Sequence, residues 1–425
     1  MTFNLNEDEI ADMQETIGEL IENYLEENIV FFFNDDFQDE MISSISSLVY
    51  YDMLNGVELS SEEDLEILEQ DINELVEDSV ENYFQFNRIP RRSNSITFED
   101  VYQDSDEELK NKIEFLEMQE QPEQKTREWY QFRYNLITAS NLWKVFGTDS
   151  QVNSLIYEKC KPFEEIGGDG LQSGPLFWGI KYEPITILIY EKMFHTKIQD
   201  FGCIKHVKYP YIGASPDGIN VNPTSMRYGR MLEIKNIFNR EITGVPKKEY
   251  WVQMQLQMEV CNLESCDFVE TRIKEFENQA EYIEKCNEHE YYGIVVVLMP
   301  IFKPCDISSN DEVLVYNKNK LVHRVLTEGT IEEIESQTGC IKEENENFYI
   351  SEINYWYLDE LSCVFVKRNK PWFEKSLPLI KDVWNIIEKE RVDGYEHRAS
   401  KKRKPSIDNT ESPGKCLLAM SDDSC

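Results

Sequence analysis

The first 87 residues of this 425-residue chain contain no lysine and no arginine, against 25 aspartates and glutamates. A stretch so acidic cannot grip a nucleic-acid backbone, which calls for cationic side chains. Long apolar runs are also missing. The longest, around Ile294 to Phe302, is strand-length, well short of the roughly 18 residues that a membrane helix needs, so no membrane partner is expected. The opening MTFNLNEDEIADMQ has neither the basic segment nor the apolar segment of a secretory signal. The ten cysteines are scattered without a CxxC pair, and the five histidines do not fall at zinc-finger spacing. Cys261 and Cys266 are the closest pair, too loose for an iron–sulfur cluster. Reduced thiols in an intracellular, unsecreted protein are expected.

With 41% hydrophobic and 12% aromatic residues the composition is that of a globular protein. The net charge is −38, but the last 338 residues hold 56 acidic and 43 basic side chains. About two thirds of the excess therefore sits in the first fifth of the chain, and the remainder can carry a local basic groove. Residues 1–87 read as an acidic helical region. Ile10, Met13, Ile17, Leu20, Ile21, Tyr24 and Leu25 recur at helical steps, as do Leu65, Leu68, Ile72, Leu75 and Val76. Residues 88–108 read as a linker, 109–393 as one large domain, and 394–425 as a polar, disordered tail.

Within 109–393, helices are predicted at 175–195, 247–262 and 371–391. Strands are predicted near 203–207, 211–214, 229–236, 267–273 and 291–300, and Thr138 or Ser140 is a candidate N-cap. Residues 303–350 are hydrophilic and read as an irregular insertion, with a hairpin around Val313 to Val325. The expected fold is α/β: a mixed central sheet of about five strands flanked by helices. In the tail, RASKKRKP (398–405) fits a nuclear-localisation-like signal, a weak DNA contact or a solubilising segment.

Four segments concentrate groups suited to phosphodiester chemistry: GIKYE (179–183), GASPDG (213–218), LEIK (232–235) and YWVQMQ (250–255). Hydrolysis of a phosphodiester needs a divalent cation to polarise the phosphoryl oxygen and activate water. Mg²⁺ takes oxygen ligands, commonly one or two carboxylates completed by water and substrate phosphate. Asp217 and Glu233 can supply the carboxylates, and the carbonyl of Ile234 a further ligand. Alternate residues of a strand share a face, so Glu233 and Lys235 stand together while Ile234 points into the core. Lys235 can orient the attacking water or neutralise developing charge. Glu183 can serve a second ion, and Gln253 can hold the water or Lys235. Pro216 and Gly218 place Asp217 in a tight turn.

ASPDG, LEIK and YWVQMQLQ, preceded by REWYQFRYNLITASN (127–141) and GIKYEP (179–184), together resemble the lambda-exonuclease / YqaJ-type viral recombinase family of PD-(D/E)XK nucleases. The resemblance covers about residues 125–275. It implies a restriction-endonuclease-like core in residues 109–393 and Mg²⁺ bound by Asp217, Glu233, the Ile234 carbonyl and Glu183. Two ions, with Mn²⁺ able to substitute, are implied as well. Lys235 would position the water and Gln253 support it. Arg133, Ser140 and Ser215 would grip the 5′-phosphate of a duplex end, and Trp129 and Trp143 would belong to the core. The implied activity is 5′→3′ exonuclease action on linear duplex DNA in recombination, repair or replication. The alternatives are a structure-specific or restriction-like endonuclease, or a non-catalytic DNA-binding or packaging protein on the same fold. Implied partners are duplex ends and a trimeric ring of this chain, while a single-strand annealing protein or a basic DNA-binding protein is a candidate partner for docking to the acidic region. The acidic N-terminus and the 303–350 segment depart from the compact family pattern and put the ring in doubt. A large DNA virus, with action in the host nucleus or at a viral replication site, fits the basic tail and the resemblance. For the acidic region the readings are a solvated domain, a docking site, or a DNA mimic that covers the basic groove.

Overall fold

The computed structural model describes residues 7–54, 61–86, 104–122, 126–162, 174–301 and 319–399. The acidic region folds as three helices, α1 (Glu7–Asn28), α2 (Phe37–Leu54) and α3 (Glu62–Phe86). Their apolar stripes meet in a core of Ile17, Ile21, Met41, Ile45, Leu68, Ile72 and Val76. This bundle is not free of the rest. The connection between α1 and α2 drives Phe32 and Phe33 into the main core against Trp251 and Trp372, and the Trp372 indole N–H donates to the Val30 carbonyl at 3.1 Å. Fully burying one large apolar side chain contributes about 1.5–3 kcal/mol, so two buried phenylalanines make a firm attachment.

The expected linker ends earlier than 108. Ser105 caps α4 (Asp106–Glu117) through a reciprocal capping box with Glu108, and Leu109, Ile113 and Leu116 enter the main core. The segment 88–103 lies outside the described residues. Next come α5 (Arg127–Tyr134), β1 (Ile137–Thr138), α6 (Ala139–Leu142), α7 (Asp149–Cys160) and α8 (Pro175–Phe194). The strands that follow are β2 (Ile198–Gln199), β3 (Ile204–Lys205), β4 (Ile212–Ala214), β5 (Gly218–Asn220) and β6 (Met231–Asn236). Helix α9 (Lys248–Cys261) crosses from β6 to β7 (Ser265–Glu275). After α10 (Gln279–Lys285) come β8 (Tyr292–Pro300), β9 (Lys320–Val325), α11 (Ile331–Glu344), β10 (Phe348–Lys367) and α12 (Lys370–Asp393).

The fold is mixed α/β, with seven strands in the main sheet rather than about five, in the order β2-β5-β6-β7-β10-β8-β9. Among the described strands only β6 and β7 run parallel in it, joined by the helical crossover that a parallel pair requires. A small sheet, β1-β4-β3, lies beside it. The sequence places the elements around the site well but misreads 303–350. From residue 320 this segment is ordered: β9 is the edge strand beside β8, and β10 threads between β7 and β8. Of the expected hairpin, Lys320–Val325 is a strand, paired with β8; residues 302–318 lie outside the described set.

Strand β6 is covered on both faces. Leu232 and Ile234 meet Tyr190 and Ile187 of α8, whereas Met231 joins the α9 side with Trp251, Met254 and Phe268. Opposite α8, Glu233 and Lys235 therefore face α9. At the start of β6, buried Asp267 of β7 is bound by Arg227, Arg230 and the Tyr190 hydroxyl, which pins the β5–β6 turn to the sheet. The start of the expected tail is held in place as far as Ala399, because Arg398 pairs with Glu390 and bonds Asn153. The rest of the basic cluster lies outside the described residues.

Candidate active site

Two clusters form around the end of β4. The first is acidic. Asp217 follows β4 and precedes β5, its amide bonding the Leu232 carbonyl at 3.2 Å. Its carboxylate accepts from the Ile234 amide at 2.7 Å. β5 pairs with β6 at Gly218↔Leu232 and Ile219↔Met231. Continuing that register sets Pro216 opposite Ile234, and proline has no N–H to donate. The ladder therefore stops there, and the Ile234 carbonyl, on the side where its amide meets Asp217, gets no donor from β5. This gives a physical reason for a free carbonyl beside two carboxylates.

Glu233 is fully buried and has both oxygens engaged. Lys235 Nζ donates to one, and Gln257 Nε2 donates to the other at 2.7 Å. Lys235 also stands 5.0 Å from the Tyr250 ring. Burial pushes the Asp217 carboxyl above its usual range, and the charges of Glu233 and Glu183 push it the same way, against Lys235. Burial disfavours the Lys235 ammonium, but Glu233 and Asp217 outweigh it and hold the amine protonated. Beside Lys235 in the β6–β7 register stands Glu270, buried and paired with Arg240, with its second oxygen unpartnered.

Of the residues expected here, Asp217, Glu233, Lys235 and the Ile234 backbone do meet. Glu183 stands on α8, across the sheet from Glu233, and reaches the cluster through its field on Asp217. Gln253 does not join: no hydrogen bond ties it to Glu233 or Lys235, and the amide that does so is Gln257, one turn later. Residues four apart share a helix face, so Gln253 and Gln257 lie on one side of α9, and the later turn is the one that meets Glu233. Gln255 faces away and binds Lys367 and Asn369.

The second cluster is cationic. Arg133 of α5 donates to Ser140 at 3.1 Å and to Ser215 at 3.4 Å, and its guanidinium stacks 4.2 Å from the Trp129 ring. The three residues expected to share one role are thus together. Trp129 is a wall of this pocket rather than core alone, while Trp143 packs on the core as expected. Thr138 occupies the N-cap of α6 without capping it and contacts Ser140 instead. No carboxylate forms an ion pair with Arg133 among the described residues. Beneath it, Lys159 donates to the Arg133 carbonyl at 2.8 Å, and Arg391 of α12 donates to the carbonyls of Lys159 and Tyr134. Burial pushes the Lys159 amine down to about 8; Arg133 and Arg391 add to this and Glu158 opposes it. Buried cations satisfied only by neutral acceptors are costly, and an anion would relieve them. The sequence reading missed both Lys159 and Arg391; the one signal available was a lysine beside the apolar Leu155, Ile156 and Cys160 of α7.

The donors of the acidic cluster are hard oxygens, as Mg²⁺ prefers. Among the described residues, no three His, Cys, Asp or Glu side chains are gathered so as to hold an ion. A cation here would rest on two carboxylates, a backbone carbonyl and water, a set that suffices for Mg²⁺. The seven cysteines among the described residues are all free, and no described helix is long and apolar enough to cross a membrane.

The structure thus sets an aspartate at a strand end beside Glu-x-Lys on the neighbouring strand, at the mouth of a mixed sheet. Residues 128–264 match the family model of the YqaJ-like viral recombinase domain. It is 28% identical over 324 residues to an uncharacterised protein of Acanthamoeba polyphaga mimivirus, covering 68% of this chain and 57% of the relative. The chain thus spans little more than half the length of that curated relative. Among solved structures it is similar to the alkaline exonuclease LHK-Exo of Laribacter hongkongensis, with 17% identity, 63% of this chain, 94% of that chain and a TM-score of 0.35. It is also similar to a phage-related exonuclease of Haemophilus somnus 129PT, with 13% identity, 62% of this chain, 96% of that chain and a TM-score of 0.30.

Proposed function

We propose that this chain is a Mg²⁺-dependent deoxyribonuclease that engages the end of linear duplex DNA and hydrolyses its 5′-terminated strand. One observation carries the reading: the cationic pocket and the carboxylates share a single short segment. Ser215 closes the pocket, Asp217 belongs to the acidic cluster, and two residues span at most about 7 Å, a reach on the scale of one nucleotide. Gln257 ties the two together by bonding both the Ser215 carbonyl and Glu233.

In this reading Arg133, Ser140 and Ser215 hold the terminal phosphate, Arg133 through the paired donors that suit a phosphate. Asp217, Glu233 and the Ile234 carbonyl would hold Mg²⁺, which would supply Lewis-acid polarisation and an activated water; Glu183, whose charge acts on Asp217, would serve a second ion. Lys235, kept protonated, acts as a charge rather than a base. It orients the water and offsets negative charge as the water oxygen bonds to phosphorus and a P–O ester bond breaks. Tyr250 and Gln257 hold this arrangement in place. A role in recombination, repair or replication of viral DNA is part of the proposal, supported by the YqaJ-like domain and the mimivirus relative. So are a trimeric ring, which rests on the family resemblance alone, and an annealing-protein partner, which rests on the acidic N-terminal region.

An endonuclease and a non-catalytic DNA-binding protein are the competing readings. One assay separates the three: purified protein with Mg²⁺ and 5′-phosphorylated linear duplex, closed circular duplex and linear single strand. Selective loss of the linear duplex supports the proposal. Cutting of the circle favours the endonuclease, and absence of cutting in Mg²⁺ and Mn²⁺ leaves the binding protein.

A further inference from the structure

The acidic bundle has a feature that the nuclease reading does not use. An apolar groove of about 330 Å³ runs between α1 and α2, lined by Met13, Leu20, Leu48, Val49 and Met53. Leu48 is 57% exposed on this groove, and Tyr51, one turn along α2, is 68% exposed. Large apolar side chains left open in neighbouring positions mark contact surfaces, and methionines repack readily around an incoming side chain. The groove lies at the far end of the α1–α2 hairpin from the Phe32–Phe33 anchor. Met13 is fifteen residues from the end of α1, about 22 Å at the helical rise. The bundle is fixed at one end and presents its groove at the other.

Charge selects the occupant. Residues 1–87 carry 25 carboxylates and no lysine, arginine or histidine, and Asp52 stands on the groove itself. An acidic ligand would be repelled, and a purely apolar one would leave the surrounding field unused. A cationic helix with one apolar stripe satisfies both features: its apolar residues fill the groove at i, i+3, i+4 and i+7 spacing while its basic flanks meet the carboxylates. We propose that the α1–α2 groove is the docking site for a basic amphipathic helix of another protein. Its function is recruitment: a partner held there is joined to the nuclease through a rigid, buried anchor.

The test uses the full chain and a fluorescent, designed Leu/Lys peptide with leucines at that helical spacing, beside a scrambled peptide of the same composition. Fluorescence anisotropy should show the patterned peptide binding at least about tenfold more tightly than the scramble, which corresponds to about 1.4 kcal/mol. Leu48→Asp should remove that advantage, and Asp52→Lys should weaken binding and its salt dependence. Both side chains are exposed, so the variants should keep their helical circular dichroism. Equal binding of the scramble, or unchanged binding by Leu48→Asp, overturns the proposal. So does self-association of the chain that blocks the peptide, which would assign the groove to a second copy. A gain of about tenfold in peptide affinity on removing residues 400–425 also overturns it, since the occupant would then be the chain's own Lys401–Lys404 segment.

Discussion

Gln257 Nε2 stands 2.7 Å from Glu233 Oε2 and 3.1 Å from the Ser215 carbonyl, so one buried amide joins β6 to the turn that carries Asp217. Replacing it by leucine leaves the second Glu233 oxygen and the Ser215 carbonyl without a donor. We expect Gln257→Leu to lower turnover on linear duplex by about 10- to 100-fold, as loss of a ligand's orienting partner does. It should also cost about 1–3 kcal/mol of stability. Gln253→Ala should retain nearly full activity. Equal damage from both variants would contradict the assignment.

That prediction marks how far the sequence could be read. Asp217, Glu233 and Lys235 were legible because strand alternation and a Pro-Asp-Gly turn dictate local geometry. Arg133, Ser140 and Ser215, though distant in sequence, were legible only through the family resemblance, since no periodicity joins residue 133 to residue 215. Gln253 and Gln257 lie on one face of α9, and only packing against β6 brings the Gln257 amide to Glu233. Strand β10 was missed because most of its length is half exposed and mixes Glu352, Asp359 and Glu360 with aromatics, which hides a strand that pairs on both sides. The docking of the acidic bundle through Phe32 and Phe33 had no local signal. It depends on Trp251 and Trp372, more than two hundred residues away.

The cationic pocket should read the chemistry of a DNA end. Arg133→Ala should raise KM for 5′-phosphorylated duplex by about tenfold or more, the worth of a charge-assisted hydrogen bond. It should leave 5′-hydroxyl duplex nearly unchanged. Arg133→Lys should not restore the preference, because a single ammonium cannot reproduce the fork held by Ser140, Ser215 and Trp129. An equal loss on both ends would show that Arg133 does not contact the terminal phosphate.

Lys159 predicts a pH dependence of stability. Burial brings its amine from 10.5 down to about 8 in the folded chain. Between those values the unfolded chain keeps the proton that the folded chain has lost, so stability rises with pH across the window. Urea unfolding from about pH 7 to about pH 10 should therefore show the wild type gaining on Lys159→Met. A constant difference between the two would mean that Lys159 does not titrate as described.

Metal binding should be visible without turnover. Two carboxylates and a carbonyl that repel one another gain from a cation that binds only the folded chain. Mg²⁺ should raise the thermal midpoint of the wild type, and Asp217→Asn should lose most of that rise. An undiminished rise in the variant would place the ion elsewhere.

The most direct test is Lys235→Ala, assayed for binding and for cleavage of 5′-phosphorylated linear duplex in Mg²⁺. Arg133, Ser140 and Ser215 remain in place, so binding should persist within a few-fold. Cleavage should fall below detection, because the charge that orients the water beside Glu233 is gone. Full turnover by Lys235→Ala would contradict the account at its centre.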